Sequence, residues 1–170
     1  MNISKQHTSF NDITLETLVI GVTKNMENSP LWADLTAFAG EALTTWVQSG
    51  EISSDKKKLT KLPVLFSSNN NVKRILFVGL GDVNKLVEQD VREAFGLVGK
   101  EIKALKQSGV AIWLDSFVTD EINVLDVAHV AAEGSTLGYY TIANYKTTSN
   151  EVEKYYEEVE LVTAADIDEV

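Results

Sequence analysis

The sequence predicts an α/β domain with a mixed β-sheet, and two observations carry that prediction. Residues 72–82, VKRILFVGLGD, join a continuous apolar run to a glycine pair, and a helical pattern begins shortly afterwards. Strand, glycine turn and helix in this order are typical of α/β units, whose buried strands are apolar throughout. A second apolar run, 62–66, is separated from the first by the polar stretch 67–71, which predicts an antiparallel hairpin. The hairpin beside βα units favours a mixed sheet over a purely parallel one.

The other elements follow from the spacing of apolar residues. The run at 14–22 predicts the first strand, and the segment before it, which contains His7, predicts a loose N-terminus. Ser29 and Pro30 are favourable cap and first-turn residues, so we expect a helix to begin there and to end at Gly50. Later segments predict a helix over 87–105 closed by Gly109, a strand at 110–114, a helix over 126–145 and a last strand at 159–162.

Composition and charge narrow the class of protein. The 170 residues, 44% hydrophobic and 24% charged, have the size and composition of one soluble globular domain. The sequence shows no membrane-span-length apolar run, no secretory leader and no cysteine, which fits the cytoplasm. A net charge of −10 argues against a general nucleic-acid binder, and the basic run Lys56–Lys58 is best explained as a solvated loop. The acidic residues 151–170 predict a solvated C-terminal segment.

The glycine pair after the predicted central strand is the candidate binding loop. Gly79, Gly81 and Asp82 have the residue types of a phosphate cradle, because glycines let a backbone approach a ligand closely. A dinucleotide fingerprint, however, needs a third glycine where this chain has Asn84. Two interpretations stay open: a ligand loop, or a tight turn that lets the next helix fold back, which we favour.

Candidates for catalysis are few. His7 and His129 have no partner at metal-ligand spacing, and the nucleophile motif G-x-S-x-G is absent. Glu133 is best explained as a hydrogen-bonded helix residue rather than a general base. Gly134 and Gly138, four residues apart, would let another backbone approach closely, and tight packing on the sheet is the plainer interpretation. The motifs therefore predict no catalytic residue and no metal ligand in this chain.

Taken in order, these segments resemble the N-terminal domain of the leucine (cytosol) aminopeptidase family. The resemblance rests on KRILFVGLG at 73–81 with the helix that follows, and on AAEG at 131–134 leading through Tyr140 to YKT at 145–147. It covers nearly the whole chain. It implies a macro-domain-like α/β fold, in which a mixed sheet lies between helices in three α/β/α layers.

The resemblance also implies a function. In that family a separate catalytic domain binds two divalent metals, zinc or manganese or magnesium, and removes N-terminal residues, often leucine. Its signature NTDAEGRL is absent here. Residues 1–165 are therefore expected to form one non-catalytic domain, inactive alone, and residues 166–170 to begin a linker. The implied partners are the chain's own catalytic domain and the copies of a hexamer, in which this domain supports assembly and shields the active sites.

A second hypothesis is a free-standing macro-like module. Macro-like folds in other families hold ADP-ribose, and here Gly79, Gly81 and Asp82 would supply the loop around the phosphates of ADP-ribose or a related nucleotide.

Overall fold

The computed structural model describes residues 2–7, 9–64, 71–105, 109–143 and 158–163. The strands within these ranges are β1 Asn2–His7, β2 Thr17–Thr23, β3 Leu59–Pro63, β4 Arg74–Gly81, β5 Gly109–Trp113 and β6 Glu158–Thr163. The α-helices are α1 Pro30–Ala39, α2 Ala42–Ser49, α3 Glu88–Leu105 and α4 Val124–Ala143.

These strands form one mixed sheet in the order β1-β6-β5-β2-β4-β3. Every described neighbouring pair is parallel except β3 and β4, which run antiparallel with Leu62 opposite Ile75. The predicted mixed sheet is therefore confirmed. Since β2, β4, β5 and β6 are parallel, their carboxyl ends share one edge, and the connections that follow β4 and β5 meet there.

Helices cover both faces of the sheet. One apolar cluster contains Val19, Leu76 and Val78 from the strands together with Phe95 of α3 and Val130 of α4. The other cluster lies on the opposite face, where the next residues along each strand pack on the first two helices; its members include Ile20, Ile75, Phe77, Trp32, Leu35 and Leu43. Because adjacent residues of a strand point to opposite faces, a strand that is apolar throughout serves both clusters. The three-layer α/β/α arrangement is confirmed.

The N-terminal prediction was wrong. Asn2–His7 form the edge strand β1, which pairs in parallel with β6 from Asn2 opposite Glu158 to His7 opposite Thr163. The strand predicted at 14–22 is therefore the second, β2, which spans Thr17–Thr23. The sequence NISKQH has one strongly apolar residue, so no hydrophobic pattern marked it. Its position depends on main-chain pairing with a strand from the far end of the chain.

The single helix predicted from Ser29 to Gly50 is two helices. Ser29 caps α1 as expected, since its hydroxyl accepts the N–H of Trp32 at 3.3 Å. Gly40, with φ of 106°, then ends α1, and α2 begins at Ala42. The positive φ is inexpensive for glycine, so the chain turns there while both helices keep their apolar side chains on one face.

The later elements confirm the predictions to within a few residues. Helices α3 and α4 begin within two residues of the predicted starts, and β5 and β6 fall where the apolar runs placed them. The centre of the hairpin loop, at 65–70, lies outside the described residues. So do residues 144–157, which include the YKT motif at 145–147, and the predicted linker at 166–170.

Candidate functional site

The glycine pair does not form the turn that the sequence predicted. Strand β4 continues through Gly79 and Gly81 before it ends. Beyond the β3–β4 ladder, the N–H of Gly79 donates to the carbonyl of Lys58 at 2.8 Å, and the N–H of Gly81 donates to that of Ser54 at 2.7 Å. The segment 53–58 thus extends the antiparallel edge along β4. Both glycine amides are bonded to the chain itself.

Close approach explains why these two positions are glycine. A Cβ placed on Gly79 would stand 1.9 Å from the backbone oxygen of Asp55, well inside contact distance. Gly81 has a φ of +80°, and a Cβ there would meet the side-chain stem of Lys56 at 3.1 Å. The neighbour that approaches the glycines most closely is the chain's own segment 53–58.

Asp82, the third residue of the candidate loop, begins the next connection. Its carboxylate accepts the N–H of Asn84 at 3.0 Å and so caps the short 3-10 turn Val83–Lys85. This is a common local role for an aspartate that precedes a helical turn.

The basic run is largely neutralised within the molecule. Lys56 pairs with Asp90 of α3 at 3.0 Å, and Lys57 pairs with Glu93 at 3.1 Å. Burial raises the pKa of the Asp90 carboxyl, but the hydrogen bonds from Lys56 and the Val87 N–H, with the lysine charges, hold the pKa below its usual range overall. The hydrogen bond from Lys57 likewise lowers the pKa of Glu93. These pairs tie segment 53–58 to α3.

Gly134 marks a close helix crossing. A Cβ on Gly134 would stand 2.8 Å from the Cβ of Phe95 and 2.9 Å from the backbone oxygen of Arg92. Another backbone therefore approaches Gly134 closely, and it belongs to α3 rather than to the sheet. Glu133 beside it pairs with Arg92 at 3.4 Å, in keeping with a helix-surface role, and His129 is exposed on the same helix.

A cavity that the sequence did not predict lies at the carboxyl edge of the sheet, between the connections that follow β4 and β5. Its volume is about 370 Å³. The residues that line it are Val83, Asn84, Leu86, Val118, Thr119, Asp120 and Glu121. The edge itself was open to prediction, since ligands in open α/β sheets bind outside the carboxyl ends of strands. The sequence did not show which two connections would face each other at that edge.

The two divalent metals implied by the resemblance do not fit the described part of this chain. Nowhere in that part do three or more histidine, aspartate or glutamate side chains gather as a cation site would require. Among the same residues, no helix combines the length and the apolar character needed to cross a membrane.

Comparison with known proteins agrees with this architecture. The family model described as the N-terminal domain of the cytosol aminopeptidase family matches residues 19–149. A mutant of tomato leucine aminopeptidase superposes on 97% of this chain with a TM-score of 0.75 at 18% identity, and this chain spans 33% of that protein.

Macrodomains have the same fold. A Trypanosoma brucei macrodomain, solved in complex with ADP-ribose, covers 96% of this chain with a TM-score of 0.70 at 8% identity, over 64% of its own length. The Mycobacterium tuberculosis DarG macrodomain covers 94% of this chain and 97% of its own, with a TM-score of 0.66 at 12% identity. At these identities the likeness to solved structures concerns the fold alone.

Proposed function

Because the chain belongs to the cytosol aminopeptidase family and corresponds to its N-terminal domain, we propose that it is the non-catalytic part of a leucyl aminopeptidase. The parent enzyme is a dimetal exopeptidase that releases N-terminal amino acids from peptides. In this proposal both metals and all catalytic groups belong to a separate domain of the parent, and the present domain supports oligomer assembly and limits access to the active sites. The match of the family model is the observation that carries the proposal.

The packing of the domain is compatible with a scaffold role. The sheet is covered on both faces, and ion pairs tie the 53–58 segment and β3 to α3, with Lys61 bonded to Glu101 at 3.1 Å. A scaffold that positions other parts of an enzyme benefits from such fixed elements.

The first experiment is to read the coding sequence beyond Val170. Continuation into a domain that carries NTDAEGRL supports the proposal, and a stop codon contradicts it. The second experiment compares the purified 170-residue chain with the longer protein in hydrolysis of leucine p-nitroanilide, with manganese or zinc added. The chain alone is expected to be inert. Metal-dependent release by the chain itself would overturn the assignment.

The assembly role has its own test. Light scattering of the longer protein, with and without residues 1–165, is expected to show a hexamer that is lost or weakened on truncation. The truncated protein is also expected to cleave folded or bulky substrates that the intact protein excludes. If the hexamer and the size limit on substrates were both unchanged, the role of this domain in assembly and access would be contradicted. The assignment of catalysis to the parent enzyme would still hold.

The likeness to macrodomains favours a second candidate function, a module that binds ADP-ribose or a related nucleotide. Gly79, Gly81 and Asp82 are its candidate residues, although the two glycine amides already donate to the chain's own carbonyls. Calorimetric titration with ADP-ribose separates the hypotheses. Micromolar binding that Asp82→Ala weakens favours the module, and no heat of binding favours the aminopeptidase domain.

A further inference from the structure

We propose that the cavity between the β4–α3 and β5–α4 connections binds an aliphatic ammonium, that is, a small cation joined to a branched apolar chain. The cavity measures about 370 Å³, which is within the range of small-molecule sites in proteins. The proposal rests on the residues that line the cavity and is independent of the role in assembly.

Part of the cavity lining is apolar and exposed. Val83 and Val118 line it with 39% and 38% of their surface exposed, and the buried Leu86 lines it as well. The other large exposed hydrophobic residues of the described chain, Val87 and Leu125, lie in the same connection or in the first turn of α4. Exposed apolar side chains concentrated at one edge of a domain commonly mark a binding surface.

Another part of the lining is acidic. Asp120 and Glu121 line it, and within the described residues neither forms an ion pair. The carboxylates of α3 differ, because Asp90 and Glu93 are each paired with a lysine. Lys85 is the one basic residue in the sequence of the two connections, and its side chain does not line the cavity. The uncompensated negative charge attracts a cation and repels a phosphate.

The structure holds both connections that line the cavity in place. The hydroxyl of Thr119 accepts the N–H groups of Glu121 at 3.2 Å and Ile122 at 3.1 Å. In the β4–α3 connection the carboxylate of Asp82 caps the turn that carries Val83 and Asn84. A site with fixed walls loses less conformational entropy when a ligand binds.

The chemistry of the apolar and acidic lining residues defines the ligand. An ammonium lies at Asp120 and Glu121, where charge-assisted hydrogen bonds are available. The branched chain covers Val83, Leu86 and Val118. The amino terminus of a peptide whose first residue is leucine, isoleucine or valine offers this chemistry, whereas the side chain of a lysine offers the ammonium on an unbranched chain. Leucinamide and N-acetyl-lysine amide serve as probes of the two sources, and whichever binds more tightly identifies the source.

The test is an NMR titration of the labelled 170-residue chain with isoamylamine. We expect saturable amide shifts at 83–86 and 118–121, with a Kd on the order of 1 mM, as befits a ligand of this size. Isoamyl alcohol, which has the same branched chain without the charge, and methylammonium, which has the charge without the chain, are each expected to bind at least about tenfold more weakly.

Variants test whether binding needs the negative charges of Asp120 and Glu121. Asp120→Asn with Glu121→Gln is expected to weaken isoamylamine binding about tenfold. Both side chains are exposed, so the double variant is expected to fold normally. The matched control is Asp34→Asn with Glu41→Gln, which removes two exposed carboxylates at α1 and before α2 and should leave binding unchanged.

Four results would overturn the proposal: no saturable shift, equal binding of the alcohol, shifts outside the two connections, or unchanged binding by the Asp120/Glu121 variant. Shifts at 83–86 and 118–121 that appear on raising the protein concentration without ligand would also overturn it, since a second copy of the chain would then occupy the groove.

Discussion

The α-carbon of Gly79 faces the backbone carbonyl of Asp55 so closely that a Cβ on Gly79 would stand 1.9 Å from that oxygen. The contact lets segment 53–58, which directly precedes β3, run along β4. There its carbonyls accept the N–H groups of Gly79 and Gly81. The glycine pair therefore has a structural purpose that needs no ligand. It brings Lys56 and Lys57 within reach of α3.

Gly79→Ala is expected to destabilise the domain by about 1–3 kcal/mol, because the added methyl collides with rigid backbone rather than with a movable side chain. Urea unfolding of the variant measures the change. Thr45→Ala, exposed on α2, is the control and should shift the free energy of unfolding by less than about 0.5 kcal/mol. A Gly79 variant as stable as the control would mean that segment 53–58 moves away at little cost.

Gly134→Ala tests the crossing of α3 and α4. Alanine favours a helix over glycine by about 1 kcal/mol, but here its methyl would stand 2.8 Å from the Cβ of Phe95. We expect a net loss of about 1–2 kcal/mol in the free energy of unfolding.

Gly96→Ala on α3 is the matched control for Gly134→Ala. A Cβ at Gly96 meets no neighbouring heavy atom within 4 Å, so this variant should gain about 0.5–1 kcal/mol from helix propensity. If both alanine variants were stabilised, the two helices would not be in close contact at Gly134.

Ser116→Ala tests a buried hydrogen bond that replaces sheet pairing. The β2–β5 register ends at Val19 opposite Ile112, so the N–H of Gly21 donates instead to the hydroxyl of Ser116 at 2.8 Å. That hydroxyl donates in turn to the carbonyl of Trp113 at 2.7 Å. Removing it leaves a buried donor without its partner, and we expect a loss of about 1–3 kcal/mol.

A second measurement and a control variant accompany Ser116→Ala. Amide hydrogen exchange at Gly21 should become faster relative to its strand neighbours, which a general loss of stability would not produce. Ser49→Ala removes an exposed hydroxyl that bonds the Trp46 carbonyl, and it should change stability by less than about 0.5 kcal/mol. Unchanged exchange at Gly21 would show that water replaces the hydroxyl.

Asp90 predicts a dependence of stability on pH. Burial raises the pKa of the Asp90 carboxyl, but the hydrogen bonds from Lys56 and the Val87 N–H and the lysine charges outweigh it, so the pKa in the folded domain lies below its ordinary value. A lowered folded pKa contributes stability that is fully present above the unfolded pKa and is lost as the pH falls through the folded pKa. The contribution of Asp90 should therefore persist at neutral pH and begin to disappear as the pH falls below about 4.

The Asp90→Asn variant isolates this contribution. Near neutral pH it should be less stable than the native chain by up to about 1 kcal/mol, the scale of a partly exposed ion pair. The difference should shrink as the pH falls below about 4, where the native carboxylate begins to protonate. A stability difference that stayed constant across this range would assign the effect of the variant to packing rather than to charge.

Much of the fold was predictable because its signals are local. In α3 the apolar side chains Val91, Phe95, Val98 and Ile102 recur at helical spacing, and all four are buried against the sheet. The apolar run of β4 is continuous because both faces of that strand are covered. Strand β1 gave no such signal, since an edge strand is fixed by main-chain bonds to β6 and needs few apolar side chains.

The candidate site was likewise predictable only in part. Residue type identified Gly79, Gly81 and Asp82 as positions of special backbone geometry, but it did not show what approaches the two glycines. The cavity gave no signal at all, because Val83 and Asp120 are ordinary connection residues until the two connections face each other.

The sequence by itself determined the order of most strands and helices, the faces that they bury and the resemblance to an aminopeptidase domain. These properties follow from side-chain spacing, which each segment carries alone. The tertiary structure decided that the glycine pair receives the chain's own Asp55, that Gly134 faces α3, and that Asp120 and Glu121 share a cavity with Val83 and Val118. Each of these is a contact between residues far apart in the chain, and only the packing of the whole sheet and its helices fixes which distant residues meet.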